Sequence, residues 1–248
     1  NDKARELGMN NTNFLDCTGL TDEGHYSCAY DIALMSRELL LKHPEITDYT
    51  TIWHTLFREN VPGKTPVSLD NTNKLIRNYE GAIGIKTGVT GAAGYCLAAA
   101  AVRNGQELIS VVLGEPDSNT RFAESRKLLD YGFSNFETIT VNKMGEEAQQ
   151  VQVKKGMKPM VTAIYKEDVK LLMKKGDKGK IERIVKIDED LKAPVKAGQK
   201  IGEVTYMVSE NEVGNADLVA AADVQKASFL RIFITMVERW FALGRSMK

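Results

Sequence analysis

The sequence predicts an α+β chain, with helices packed on an antiparallel sheet in its first half, a small all-β region in its second and an amphipathic helix at its end. Three observations carry that prediction. Residues 27–42 open on the N-cap candidate Ser27 and place Ile32, Met35, Leu39 and Leu40 at helical spacing ahead of Pro44. Residues 94–101 and 107–113 are apolar runs separated by a segment holding Asn104-Gly105, a pair suited to a tight hairpin turn. Past Phe136 the texture changes to short alternating segments, 137–141 and 180–187 among them, punctuated by Lys- and Gly-rich turns, the spacing of a small all-β domain.

The remaining elements follow in order. Residues 1–8 read as the tail of a helix capped by Gly8. Residues 52–57 mix β-branched and aromatic side chains and read as a strand, whereas 61–78, rich in Pro, Gly, Asn and Thr, reads as a long loop. Thr120 is the predicted cap of a helix whose face is Phe122, Ser125, Leu128 and Leu129 and which Gly132 ends. The predicted division is 1–136, 137–224 and 225–248. In the last segment Leu230, Phe233, Ile234, Val237, Trp240 and Phe241 share one helical face, and charged residues interrupt the apolar run. It falls short of the ~20 residues that span a bilayer, so lying in the plane of an anionic membrane surface fits better than crossing. A terminal helix packed on its own protein is the alternative.

Lys plus Arg and Asp plus Glu are both 33, so no global field draws the chain to nucleic acid. The three cysteines are too scattered for a disulfide framework and read as buried thiols. The three histidines lack metal-ligand spacing; neither a metal nor a cofactor is expected.

The chemistry concentrates at Lys86-Thr87-Gly88, at the start of a β segment. Alternation points Lys86 and Gly88 to one face and Thr87 to the other unless a local twist, common beside active sites, intervenes. Gly88 leaves room for a substrate backbone to lie beside the strand as an extra strand. Thr87 offers a hydroxyl to a carboxylate, and Lys86 a charge that attracts an anionic substrate. Acyl transfer from a serine uses these functions together with backbone N–H donors for the oxyanion.

The tripeptide has company. Leu7-Gly8-Met9-Asn10-Asn11-Thr12-Asn13-Phe14, Thr18-Gly19-Leu20, His25-Tyr26-Ser27, Asn71-Thr72-Asn73, Gly84-Ile85-Lys86-Thr87-Gly88-Val89-Thr90, Ala93-Gly94-Tyr95 and the 124–133 segment follow in an order that resembles the low-molecular-weight penicillin-binding proteins. These are the serine-type D-alanyl-D-alanine carboxypeptidases of peptidase family S11. Leu191-Lys192-Ala193-Pro194-Val195 resembles that family's second, β-rich domain, and the last segment its membrane anchor.

The resemblance implies a penicillin-binding transpeptidase/β-lactamase-like catalytic fold, here incomplete. It further implies removal of the terminal D-alanine from peptidoglycan pentapeptides through an acyl-serine, sensitivity to β-lactams, and a place on the extracytoplasmic face of the membrane. Carried over by position, Lys86, Thr87 and Gly88 are the catalytic strand, and the Val89 amide is an oxyanion donor. Thr90 and Lys74 join Lys86 and Thr87 in substrate binding. Relatives often carry His at the Val89 position and Arg at the Lys74 position, and Lys lacks the bidentate geometry of Arg.

No Ser-x-x-Lys occurs in the 248 residues, and Ser209-Glu210-Asn211, the one downstream match to Ser-x-Asn, falls in the β-rich half. The expectation is the C-terminal portion of a longer enzyme, inert by itself. A non-catalytic membrane-bound scaffolding module and a β-lactamase-like hydrolase are the competing readings.

Overall fold

The computed structural model describes residues 1–20, 23–177 and 180–228. Its contacts divide the chain into two units that part between Asn135 and Phe136.

The first unit opens with α1 (Asp2–Glu6), followed by Gly8 in the left-handed region at φ 76°. Next comes α2 (Ala29–Lys42). Cys28, one residue past the expected cap, holds the N-cap position without a side-chain hydrogen bond. The helix is held instead through buried Asp31, which accepts from the Asn11 amide at 2.8 Å and from the Thr12 hydroxyl at 2.7 Å. Those two bonds stabilise the ionised carboxylate and keep it below the usual carboxylate range.

The stretch expected to be one long loop contains two elements. β1 (His54–Phe57) pairs with β2 (Val67–Asp70) in an exposed two-stranded ribbon, and α4 (Leu75–Asn78) follows the short α3 (Thr47–Thr50). The Pro- and Gly-rich residues lie in the ribbon's connection; Leu75 of α4 is fully buried, whereas Val67 and Leu69 of β2 are exposed.

β3 (Ala82–Thr90), β4 (Gly94–Arg103) and β5 (Gln106–Glu115) form an antiparallel sheet in that order. Asn104 and Gly105 turn the second hairpin with φ of 52° and 76°, the left-handed pair the dipeptide predicts. Consecutive Ala99, Ala100 and Ala101 are all fully buried, so β4 is covered on both faces. Alanine there lets elements approach closely; α2 packs on β5, and α5 (Ser118–Asn135) packs on β4 and β5.

α5 begins earlier and ends later than expected. Asp117, not Thr120, caps it, accepting from the Asn119 and Thr120 amides at 2.7 and 3.0 Å. Gly132 lies inside it, where an added Cβ would meet Leu108 Cδ1 at 2.5 Å. Leu75, Tyr79, Leu97, Val112, Phe122 and Leu129 are central to this unit's core.

The second unit is all-β. β6 (Phe136–Asn142) pairs with β9 (Val169–Lys174). A five-stranded antiparallel sheet runs β10 (Ile181–Ile187), β11 (Lys200–Val208), β12 (Asn211–Ala220), β8 (Met160–Tyr165), β7 (Glu147–Gln152). In β9, Val169, Leu171 and Met173 are buried and alternate with exposed Lys170, Leu172 and Lys174. Ser209 and Glu210, at φ of 48° and 67°, form the β11–β12 hairpin turn, so the Ser-x-Asn match serves the backbone. Buried Tyr206 donates to Asn142 at 2.6 Å and closes a polar contact within the core.

None of the three cysteines is buried: Cys17 is exposed, and Cys28 and Cys96 are partly covered. The amphipathic face at 230–241 lies outside the described residues.

Candidate active site

β3 is an edge of its sheet among the described residues, and it carries the Lys-Thr-Gly tripeptide. Lys86 and Gly88 are exposed while Thr87 is 8% exposed, the alternation expected of a strand with one covered face. Gly88 stands opposite Cys96, and an added Cβ there would meet nothing within 4 Å on the open side. The backbone beside Gly88 is therefore accessible to an extended chain.

The strand is located from outside by the Asn71-Thr72-Asn73 loop. Asn71 donates to Thr50 O and Ile52 O at 2.9 and 3.0 Å. Buried Asn73 donates to Gly84 O at 2.9 Å and accepts from the Leu75 amide at 3.2 Å, tying β3 to the start of α4. Between them the Thr72 and Thr87 hydroxyls meet at 2.6 Å. Each hydroxyl retains capacity for another partner. The two asparagines thus act as a clamp, and the residue pattern was legible where this role was not.

Lys86 Nζ donates to Thr87 O at 2.6 Å. Lys74, next after the loop, holds its ammonium 5.9 Å from the Phe122 ring centre. Neither lysine forms an ion pair among the described residues. Val89 is exposed; the Thr90 hydroxyl accepts from the Ala93 amide at 3.0 Å and closes the β3–β4 turn. Both line an open cavity of about 670 Å³ with Tyr95 and Glu115.

Sequence reasoning missed Arg121. It sits in the first turns of α5, is 6% exposed, and donates through Nη1 to Gly88 O and Cys96 O, both at 3.3 Å. Its guanidinium also lies over the Tyr95 and Phe122 rings at 5.4 and 4.8 Å. Burial lowers its pKa below the ordinary arginine value. Nε has no hydrogen-bond partner, and no carboxylate neutralises the group among the described residues. A buried cation without a counter-ion is costly, and the bonds to Gly88 O and Cys96 O offset part of that cost. No signal in Asn119-Thr120-Arg121-Phe122 separates this arginine from a solvated one.

Lys86, Thr87 and Thr72, with Lys74 and Arg121 beside Phe122, give this end of the first unit hydroxyl donors and positive charge along an open strand edge. Residues 1–117 match the family described as D-alanyl-D-alanine carboxypeptidase, and residues 136–226 match the penicillin-binding protein 5 C-terminal domain. The chain belongs to the D-alanyl-D-alanine carboxypeptidase family.

Its relatives agree over both units. The chain is 38% identical over 241 residues to D-alanyl-D-alanine carboxypeptidase DacF of Bacillus subtilis, covering 97% of this chain and 61% of that protein. It is 34% identical to DacA of Haemophilus influenzae, covering 92% of this chain and 57% of the relative. Penicillin binding protein 5 of Haemophilus influenzae superposes with a TM-score of 0.73 at 32% identity, over 91% of this chain and 64% of that structure. This member of the carboxypeptidase family thus spans about three-fifths of the length of the curated relatives it matches.

Proposed function

We propose that this chain supplies the substrate-binding strand and the β-rich domain of a serine-type D-alanyl-D-alanine carboxypeptidase that trims peptidoglycan pentapeptides. The single observation that carries the reading is Lys86-Thr87-Gly88 on an accessible strand edge, with its sheet held from beneath by a buried arginine that pairs with no carboxylate among the described residues. The family membership supports the same activity.

In this reading the substrate peptide lies along β3, where Gly88 admits its backbone. Lys86 attracts the anionic substrate and biases proton transfers near the scissile bond. The Thr87 and Thr72 hydroxyls and the charges of Lys74 and Arg121 receive the terminal carboxylate, and Arg121 holds β3 against β4 at Gly88. The Val89 amide serves the developing oxyanion, and Thr90 fixes the turn beyond it. β-Lactams compete for the same edge.

Residues 1–136 belong to the catalytic domain, 137–224 form the β-rich domain, and 225–248 bind an anionic membrane surface on the extracytoplasmic side. Leu230, Phe233, Ile234, Val237, Trp240 and Phe241 enter the interface in this reading. The 248 residues contain no Ser-x-x-Lys, the arrangement that provides an activated serine in these enzymes, and so do not form the acyl-serine alone. That absence is also what favours the second reading, a non-catalytic membrane-bound module.

A fluorescent penicillin separates the two. The 248-residue chain is expected to stay unlabelled on denaturing electrophoresis. A form extended with a segment bearing Ser-x-x-Lys and Ser-x-Asn is expected to be labelled and to release D-alanine from a pentapeptide. Labelling of the shorter chain would show that the nucleophile has been misplaced, and an inert extended form would favour the module.

A further inference from the structure

Three short segments of the β-rich unit meet where its described residues end. The Lys154 amide donates to Leu191 O at 2.8 Å, and the Ala193 amide to Lys154 O at 2.9 Å. The Met157 amide donates to Gln225 O at 2.7 Å and the Ala227 amide to Lys155 O at 2.8 Å. Val153, Leu191, Ala193, Val195, Val224 and Ala227 are buried. The residues between them include Lys154, Lys155, Lys158, Lys192, Lys196 and Lys226, all exposed. One side of this junction closes the core, and the other is a lysine surface.

The loop at its centre has a defined shape. Lys155 is in the left-handed region at φ 59°. Gly156 is packed so closely that an added Cβ would lie 2.7 Å from Lys158 O and 2.8 Å from Val224 Cγ1. The turn leaves Met157 41% exposed between lysines on either side. Lys154 and Lys192 share Asp190, whereas Lys155, Lys158 and Lys226 form no ion pair among the described residues.

We propose that this loop is a second membrane contact, in which Met157 enters the headgroup layer of an anionic bilayer and Lys155, Lys158 and Lys226 engage lipid phosphates. The inference rests on the membrane reading of residues 225–248. Its independent support is placement: the backbone bond from Ala227 to Lys155 fixes the lysine loop beside the point from which the apolar-faced sequence 229–248 continues. An apolar side chain framed by unpaired ammonium groups matches a headgroup layer, which offers phosphate and hydrocarbon together. A soluble polyanion offers only the first.

The test is co-sedimentation of the full 248-residue chain at low salt with vesicles of phosphatidylcholine, alone or mixed with phosphatidylglycerol. Each lysine near an anionic surface contributes about fivefold in affinity, so K155Q/K158Q/K226Q is expected to lower binding to the anionic vesicles by about a hundredfold. Its binding to neutral vesicles stays unchanged, and deleting residues 229–248 lowers binding to both. A triple variant that keeps the parent's affinity for anionic vesicles overturns the loop proposal. If the deletion has no effect while the triple variant is weakened, the role of 229–248 falls and the loop stands. A parent chain that binds neither vesicle overturns both.

Discussion

Arg121 shows how one side chain joins stability to chemistry. Its Nη1 donates to the carbonyls of Gly88 and Cys96, which face one another across β3 and β4, and its burial places charge beneath the strand edge. Arg121→Met removes that donor from both carbonyls and is expected to cost about 1–3 kcal/mol, read as a lower urea midpoint for the first unit. Unchanged stability would show that the two carbonyl bonds contribute nothing net to the fold. Asp190 provides a pH-dependent counterpart in the second unit. Hydrogen bonds from Lys154 and Lys192 hold its carboxyl at about 2, below the ~3.9 of an unfolded chain. A depressed carboxylate pKa contributes stability above the unfolded value that is lost as pH falls through the folded one. The melting-temperature difference between the parent and Asp190→Asn is therefore expected at pH above about 4 and is lost as pH falls toward about 2. A difference independent of pH would assign the effect to something other than this charge.

At the level of elements, the course of β3 depends on the turn before it. Gly81 has φ 78°, and an added Cβ would lie 2.2 Å from Val102 O, a backbone atom that cannot swing aside. Gly81→Ala is expected to destabilise the first unit by about 2–4 kcal/mol, combining left-handed strain with overpacking, and to lower its urea midpoint. A midpoint within error of the parent would mean that the turn relaxes without cost. The helices show where periodicity falls short. Met35 and Leu128, both assigned to buried helix faces, are 38% and 49% exposed, while Asp31 and Arg121 are buried in their helices. Hydrogen bonds to loop and strand backbone compensate those polar groups, and such partners lie far away in sequence.

Across the whole molecule, the two units have separate cores. The second gathers Val161, Tyr165, Leu171, Ile201, Tyr206 and Leu218 around its sheets, drawing no residue from the first. Residues 136–228 expressed alone are expected to unfold in one cooperative transition in urea, with a midpoint close to that of the same unit in the parent chain. A non-cooperative transition would show that the proposed division at 136 does not mark an independent domain. Local pattern made the hairpin at Asn104-Gly105, the alternation of β9 and the family motif legible, because turn chemistry and period-two burial act between near neighbours. β2 was not legible: the ribbon's strands are exposed, so no periodic burial marks it, whereas β1 falls within the strand expected at 52–57.

By itself the sequence determined the family, the α+β class and the absence of a Ser-x-x-Lys within these residues, since motifs and spacing are properties of the chain. Tertiary structure alone decided that Asn71 ties its loop to the backbone at Thr50 and Asn73 ties it to β3, that Thr72 meets Thr87, and that Arg121 lies beneath Gly88. Those relations join residues 11 to 33 positions apart, and only the closing of the sheet against α5 and the loop before α4 brings them within hydrogen-bond reach.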